Sequence, residues 1–244
     1  MTLEGFEQGR FSALGTERDV YRRGSGPAVI VIHEIPGITP LVADFGREVA
    51  DAGMTAVLPS LFGTPGKPMS FGYIANSFTR ACISREFMTM GLGKTSPIVD
   101  WLRRLAGAEH ERCGGPGVGA VGMCLTGGFA LGMMVDPVVK APVLSQPSLP
   151  LPLGAKRKAA VGLSDADFEA VKARVAEGTC VLGLRYEGDR AVPRDRFETL
   201  RRELGDNFIA VELPGDKHSV LTEHRDDASV AQTLQFFRDR LLPA

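Results

Sequence analysis

The segment Val118-Gly-Ala-Val-Gly-Met-Cys124-Leu-Thr-Gly-Gly128 narrows the possible folds of this chain more than any other stretch. Val118 to Val121 is apolar and β-branched at its ends, the composition of a short buried strand. From Thr126 the pattern changes, and Phe129, Leu131 and Met134 fall in a helical run. Cys124 sits on the turn between them, with Gly122 before it and Gly127 and Gly128 close behind. A side chain on so sharp a strand-to-helix turn projects beyond the top of a sheet. Flanking glycines let the backbone pass without clashing.

Such a turn, written G-x-S-x-G, is the nucleophile elbow of the α/β-hydrolase fold. Here cysteine stands for serine, and Thr126 displaces the second glycine by one place. A free cysteine also serves as a small core hydrophobe, so the turn by itself is only moderately specific. It gains weight if an acid and a histidine follow in that order, each after its own strand.

Both follow. The apolar run Cys180–Leu184 leads into Arg185-Tyr-Glu-Gly-Asp189, ahead of a helix opened by Pro193. Parallel sheets place their sites at the carboxyl ends of strands. Asp189 is therefore the candidate to orient a histidine, with Glu187 as its runner-up. The run Phe208–Leu213 leads into Pro214-Gly-Asp-Lys-His218-Ser219. His218 is the expected base that takes the thiol proton, since the thiolate and not the thiol attacks. His33 lies inside a buried strand and reads as structural. His110 falls in a polar loop, and His224, at the start of the final helix, is the rival to His218.

The rest of the chain agrees with an α/β fold. Phe11-Ser-Ala-Leu and Val20-Tyr21 form an edge hairpin, closed by Arg-Gly-Ser-Gly-Pro. Ala28–His33 is a continuous apolar run, as in a strand buried on both faces. Thr39-Pro40 begins a helix with Leu41, Phe45, Val49 and Ala52 on its buried side, and Thr55–Leu58 is the next strand. Residues 59–94 are rich in glycine and proline, a candidate lid or binding loop, with a short helix over Ile83–Met90. Ser96-Pro97 begins a helix carrying Ile98, Trp101, Leu102 and Leu105, and Glu109–Gly117 reads as a polar loop. Ala141–Leu144 is a strand, Gln146–Gly154 a loop near the site mouth, and Ser164 with Asp167 caps a helix. Asp226-Asp227 begins the last helix. Alternating strands and helices predict a mainly parallel sheet flanked by helices, in a single domain over residues 1–244.

Val31-Ile-His-Glu34-Ile-Pro-Gly37, Gly122-Met-Cys124-Leu, Asp189 before Val192-Pro193, and His218-Ser219 together resemble the dienelactone hydrolase family over most of the chain. The resemblance implies a Cys124–Asp189–His218 triad that opens enol-lactones and related esters. It also implies that Glu34 controls the resting thiol and that the backbone N–H groups of Ile35 and Leu125 form the oxyanion hole. The family's lactonases grip a substrate carboxylate with arginines. Thr222 stands about where one would be, and Arg85 is a candidate for the other.

The 28 basic and 29 acidic residues nearly cancel, which gives no footprint for nucleic acid. No apolar run is long enough to span a bilayer, and the first residues lack the features of a signal peptide. Cys82, Cys113, Cys124 and Cys180 have no metal-binding or disulfide spacing. A cytoplasmic enzyme with reduced thiols and without metal or organic cofactor is expected. Its partner would be a small-molecule ester or lactone. The alternatives are a broad-range carboxylesterase and a hydrolase-fold protein that binds a small ligand without turnover.

Overall fold

The computed structural model describes residues 3–70, 72–74, 94–150 and 154–243. Its strands are β1 (Glu7–Ala13), β2 (Thr16–Gly24), β3 (Ala28–Ile32), β4 (Thr55–Pro59), β5 (Val118–Met123), β6 (Val139–Ser145), β7 (Val181–Tyr186) and β8 (Phe208–Leu213). Among the described residues they form one sheet in the order β1-β2-β4-β3-β5-β6-β7-β8. The β1–β2 hairpin and the β2–β4 pair are antiparallel, and every other neighbouring pair is parallel. The helices are α1 (Pro40–Asp51), α2 (Pro97–Cys113), α3 (Gly127–Met133), α4 (Ala155–Ala159), α5 (Asp165–Ala176), α6 (Arg194–Leu204) and α7 (Asp227–Leu241).

Side chains alternate across the sheet, so each apolar strand feeds two cores. Ile30 and Ile32 pack on one face with Leu102 of α2, Phe129 of α3, Val171 of α5 and Phe197 of α6. Val29 and Val31 pack on the other with Phe45 of α1 and Phe237 of α7. This is why the central strands read as unbroken apolar runs. The helix starts follow the capping rules: Thr39, Ser96, Ser164 and Asp226 each accept a backbone N–H of the first turn.

Three sequence expectations need correction. The β1–β2 turn is Leu14-Gly15, with both residues at positive φ, whereas Arg23 and Gly24 end β2 and Ser25-Gly26-Pro27 carries the chain into β3. Leu41 is 38% exposed, because Val42, Phe45 and Val49 form the stripe that packs on the sheet and Leu41 lies off it. Glu109 is not in a loop but in α2, which runs on to Cys113. Its carboxylate is 2% exposed and is held by Arg22 at 2.5 Å and Arg112 at 2.9 Å. A buried charge is tolerable when paired in this way, and the pairing is invisible to local polarity. The expected helix over Ile83–Met90 lies outside the described residues. No helix among the described residues is long and apolar enough to cross a membrane.

Candidate active site

Parallel register brings the carboxyl ends of β3 and β5 side by side, with Ile32 opposite Gly122, and Met123 opposite Ser145 of β6. Cys124 follows at φ +57°, a left-handed conformation uncommon for a residue with a side chain. A Cβ at Gly122 would lie 2.0 Å from the Thr126 carbonyl oxygen, and one at Gly127 would lie 2.5 Å from Pro147 Cα. Those two positions are where the elbow requires glycine. Position 126 does not, because Thr126 has ordinary right-handed backbone angles. Its buried hydroxyl accepts the Met123 N–H at 2.9 Å and lies within hydrogen-bond reach of the Met123, Ile32 and His33 carbonyls. Threonine thus ties the elbow to the end of β3.

Asp189 and His218 meet beside the elbow. His218 Nδ1 is 2.7 Å from Asp189 Oδ2, in a carboxylate that is 6% exposed. Asp189 Oδ1 accepts the Ala191 N–H at 2.9 Å, which fixes the carboxylate plane. Burial works to lower the His218 pKa. Hydrogen bonding and charge from Asp189 and Cys124 outweigh it, and the imidazole is pushed up to about 11. Glu187, the runner-up acid, is exposed.

Glu34 is 2% exposed. Its carboxylate accepts from Ser219 Oγ at 2.7 Å, Gln146 Nε2 at 3.2 Å and the Thr222 hydroxyl. Gln146 Oε1 in turn accepts from Val220 N–H and the Ser145 hydroxyl. Among the described residues, Glu34 and Cys124 share no hydrogen bond. The loop carrying His218 is therefore buttoned to the ends of β3 and β6.

The chain matches the model of the dienelactone hydrolase family over residues 14–238. It belongs to that family.

Solved structures similar to this family member include a protein from Klebsiella pneumoniae described as a dienelactone hydrolase. The two share 20% identity at a TM-score of 0.67, over 96% of this chain and 98% of the other. A cold-adapted esterase from an Arctic intertidal metagenomic library matches at TM-score 0.64 and 13% identity, over 97% and 94% of the two chains. A dienelactone hydrolase-like promiscuous phosphotriesterase from metagenomic libraries matches at TM-score 0.61 and 16% identity, over 97% and 98%. At such identities the likeness establishes the α/β-hydrolase fold. No curated protein matches in sequence.

The remaining histidines of this dienelactone hydrolase family member have other occupations. His33 is fully buried; Nδ1 meets the Glu34 carbonyl at 3.0 Å and Nε2 accepts the Leu61 N–H at 3.1 Å. Burial dominates and pulls its pKa down to about 4, against the Glu34 carbonyl bond and with the help of Arg18. It stays neutral and structural. His224 Nδ1 accepts the N–H groups of His218 and Ser219 at 3.4 and 3.3 Å. It props the His218 loop from behind. His110 is in α2, and its Nδ1 has no partner among the described residues.

Ile35 and Leu125 flank the elbow at the ends of β3 and β5, and the Ile35 N–H makes no hydrogen bond among the described residues. Arg85 and Cys82 lie outside the described residues. Among the described residues, no group of three or more His, Cys, Asp or Glu side chains could hold a metal ion. A surface groove of about 400 Å³ between β1 and α2, lined by Phe11, Leu14 and Arg104, contains no residue of this site.

Two residues escaped the sequence reading. Ser148 Oγ is 3.3 Å from Cys124 Sγ. Arg196, of α6, is fully buried and donates to the Pro147 and Ala160 carbonyls, each at 2.6 Å. Burial lowers its pKa to about 10 against the charge of Asp189. The loop Gln146–Gly154 pointed toward Ser148 only by its place after a strand. Nothing local singled out Arg196.

Proposed function

We propose that this protein hydrolyses carboxylic esters or enol-lactones through a thioester on Cys124. One observation carries the reading: a cysteine held at φ +57° on a strand-to-helix turn shares a site with an imidazole whose Nδ1 is fixed 2.7 Å from a buried carboxylate. In this scheme the thiol proton already rests on His218, as a thiolate–imidazolium pair, and Sγ attacks the carbonyl carbon. The N–H groups of Ile35 and Leu125 receive the developing oxyanion; the unclaimed Ile35 N–H supports this assignment. The intermediate collapses, the C–O bond breaks, and His218 protonates the departing oxygen. Water, deprotonated by His218, then attacks the thioester, and the sulfur leaves with its electron pair.

Glu34 enters as a positioning residue for the His218 loop, because its carboxylate is engaged by Ser219, Thr222 and Gln146. The Thr222 hydroxyl is spent on Glu34; Arg85 stays one candidate, beside the surface arginines, for a substrate carboxylate. We take residues 1–244 as one domain, a reading supported by a single sheet with both faces covered.

The test is a panel of aryl esters and enol-lactones, assayed with wild type and Cys124→Ala. Turnover that vanishes in the variant, with stoichiometric iodoacetamide labelling of Cys124 abolishing activity in the wild type, is the expected result. Binding without turnover in the wild type would replace the enzyme by a ligand-binding protein. Full activity after complete Cys124 modification would remove the nucleophile assignment.

A further inference from the structure

We propose that Ser148 is a catalytic residue: its hydroxyl donates to the Cys124 sulfur and stabilises the thiolate, both as attacking group and as group leaving the thioester. The proposal rests on the reading of Cys124 as nucleophile.

Ser148 is 4% exposed, and its Oγ lies 3.3 Å from Cys124 Sγ. Among the described residues the hydroxyl has no other partner. Buried hydroxyls are hydrogen-bonded as a rule, and here the sulfur fills that role. The backbone keeps the two together, since the Ser148 N–H donates to the Cys124 carbonyl at 2.9 Å. Pro147 lies against Gly127, and Arg196 clamps the Pro147 carbonyl from the other side. The serine is thus fastened to the elbow itself.

The direction of the bond follows from charge. With a neutral thiol either atom can donate. With a thiolate only the hydroxyl can, and a bond to an ionised acceptor is about twice as strong as a neutral one. The sulfur of a thioester carries no charge and loses most of this stabilisation. Ser148 therefore favours the two states in which sulfur is anionic. When water opens the thioester, the C–S electron pair returns to sulfur and the serine keeps its proton.

The other ionisable groups of the site are His218 and Asp189 on the loops after β8 and β7, Glu34 after β3, and Arg196 behind Pro147. All stay in place in variants at position 148.

The experiment compares the pH dependence of Cys124 alkylation by iodoacetamide, and of ester turnover, in wild type, Ser148→Ala and Ser148→Thr. Loss of a charge-assisted bond should slow alkylation of Ser148→Ala roughly tenfold on the acid side, its profile moving up by about one pH unit. The alkaline plateaus should agree within about twofold, because there the thiolate forms without help. Ser148→Thr, which keeps the hydroxyl, should return toward wild type. Coincident profiles for wild type and Ser148→Ala overturn the proposal, even if turnover falls. So does a shift that Ser148→Thr leaves uncorrected, which would mark loop displacement. Full activity in Cys124→Ala would sink the nucleophile reading instead.

Discussion

His218 Nδ1 lies 2.7 Å from Asp189 Oδ2, and this contact together with Cys124 holds the imidazole in its charged form against the pull of burial. Its pKa rises from 6.5 to about 11, so the folded state binds a proton that the unfolded state releases between those values. The contribution to stability is complete below about pH 6.5 and is lost as pH climbs toward about 11. Melting temperature should therefore fall across that window in wild type and fall less in Asp189→Asn. Parallel melting curves would show that this pair contributes nothing to the pH dependence. Turnover of Asp189→Asn should drop by at least about a hundredfold through loss of the oriented base.

His218 and His224 are six residues apart and should respond very differently to substitution. His218→Ala removes the proton shuttle and should cost on the order of 10² to 10⁴ in kcat. His224→Ala removes only the acceptor behind the loop and should cost about tenfold at most, with a lowered Tm. Steady-state kinetics alongside melting curves separates the two effects. A larger kinetic loss at His224 would reverse the assignment.

Glu34→Gln tests whether the carboxylate serves the histidine loop or the thiol. One acceptor oxygen becomes a donor facing Ser219 or Thr222, so a buried hydrogen bond is lost at a cost of about 1–3 kcal/mol. The expected outcome is a lower Tm and a kcat reduced by about tenfold, while alkylation of Cys124 at neutral pH changes less than about twofold. Markedly faster alkylation would give Glu34 the restraining role on the thiol that the family resemblance implies.

Gly127→Ala should be more damaging than its size suggests. The new methyl would sit 2.5 Å from Pro147 Cα, a backbone atom that cannot swing aside. Overpacking of this kind costs about 1–3 kcal/mol, and it would push Ser148 off the sulfur. Denaturant titration and alkylation of Cys124 together provide the check. Wild-type values in both would show that the loop yields freely.

The fold was legible because its signals are local. Apolar runs, helix caps at Thr39, Ser96, Ser164 and Asp226, and the glycines around Cys124 all act within a few residues. The order cysteine, aspartate, histidine was legible because the fold prescribes it. What local pattern could not show was set by distant contacts. Glu109 looked like loop because its partner Arg22 is 87 positions away. Leu41 looked buried because spacing alone does not fix the phase of a helix. Ser148 and Arg196 gained their places only when β6 came to lie beside the elbow.

The hydrogen bonds from Ser219 and Thr222 to Glu34 close chain separations of 185 and 188 residues. Contacts of such span are the costliest in loop entropy and form late. We expect the site to come into register late, after the sheet has been laid down from β3 to β8. Return of activity after dilution from denaturant becomes a clock for completion of the whole chain. It should trail the recovery of helical signal, and a chain stalled before β8 would be inert however well its elbow had formed.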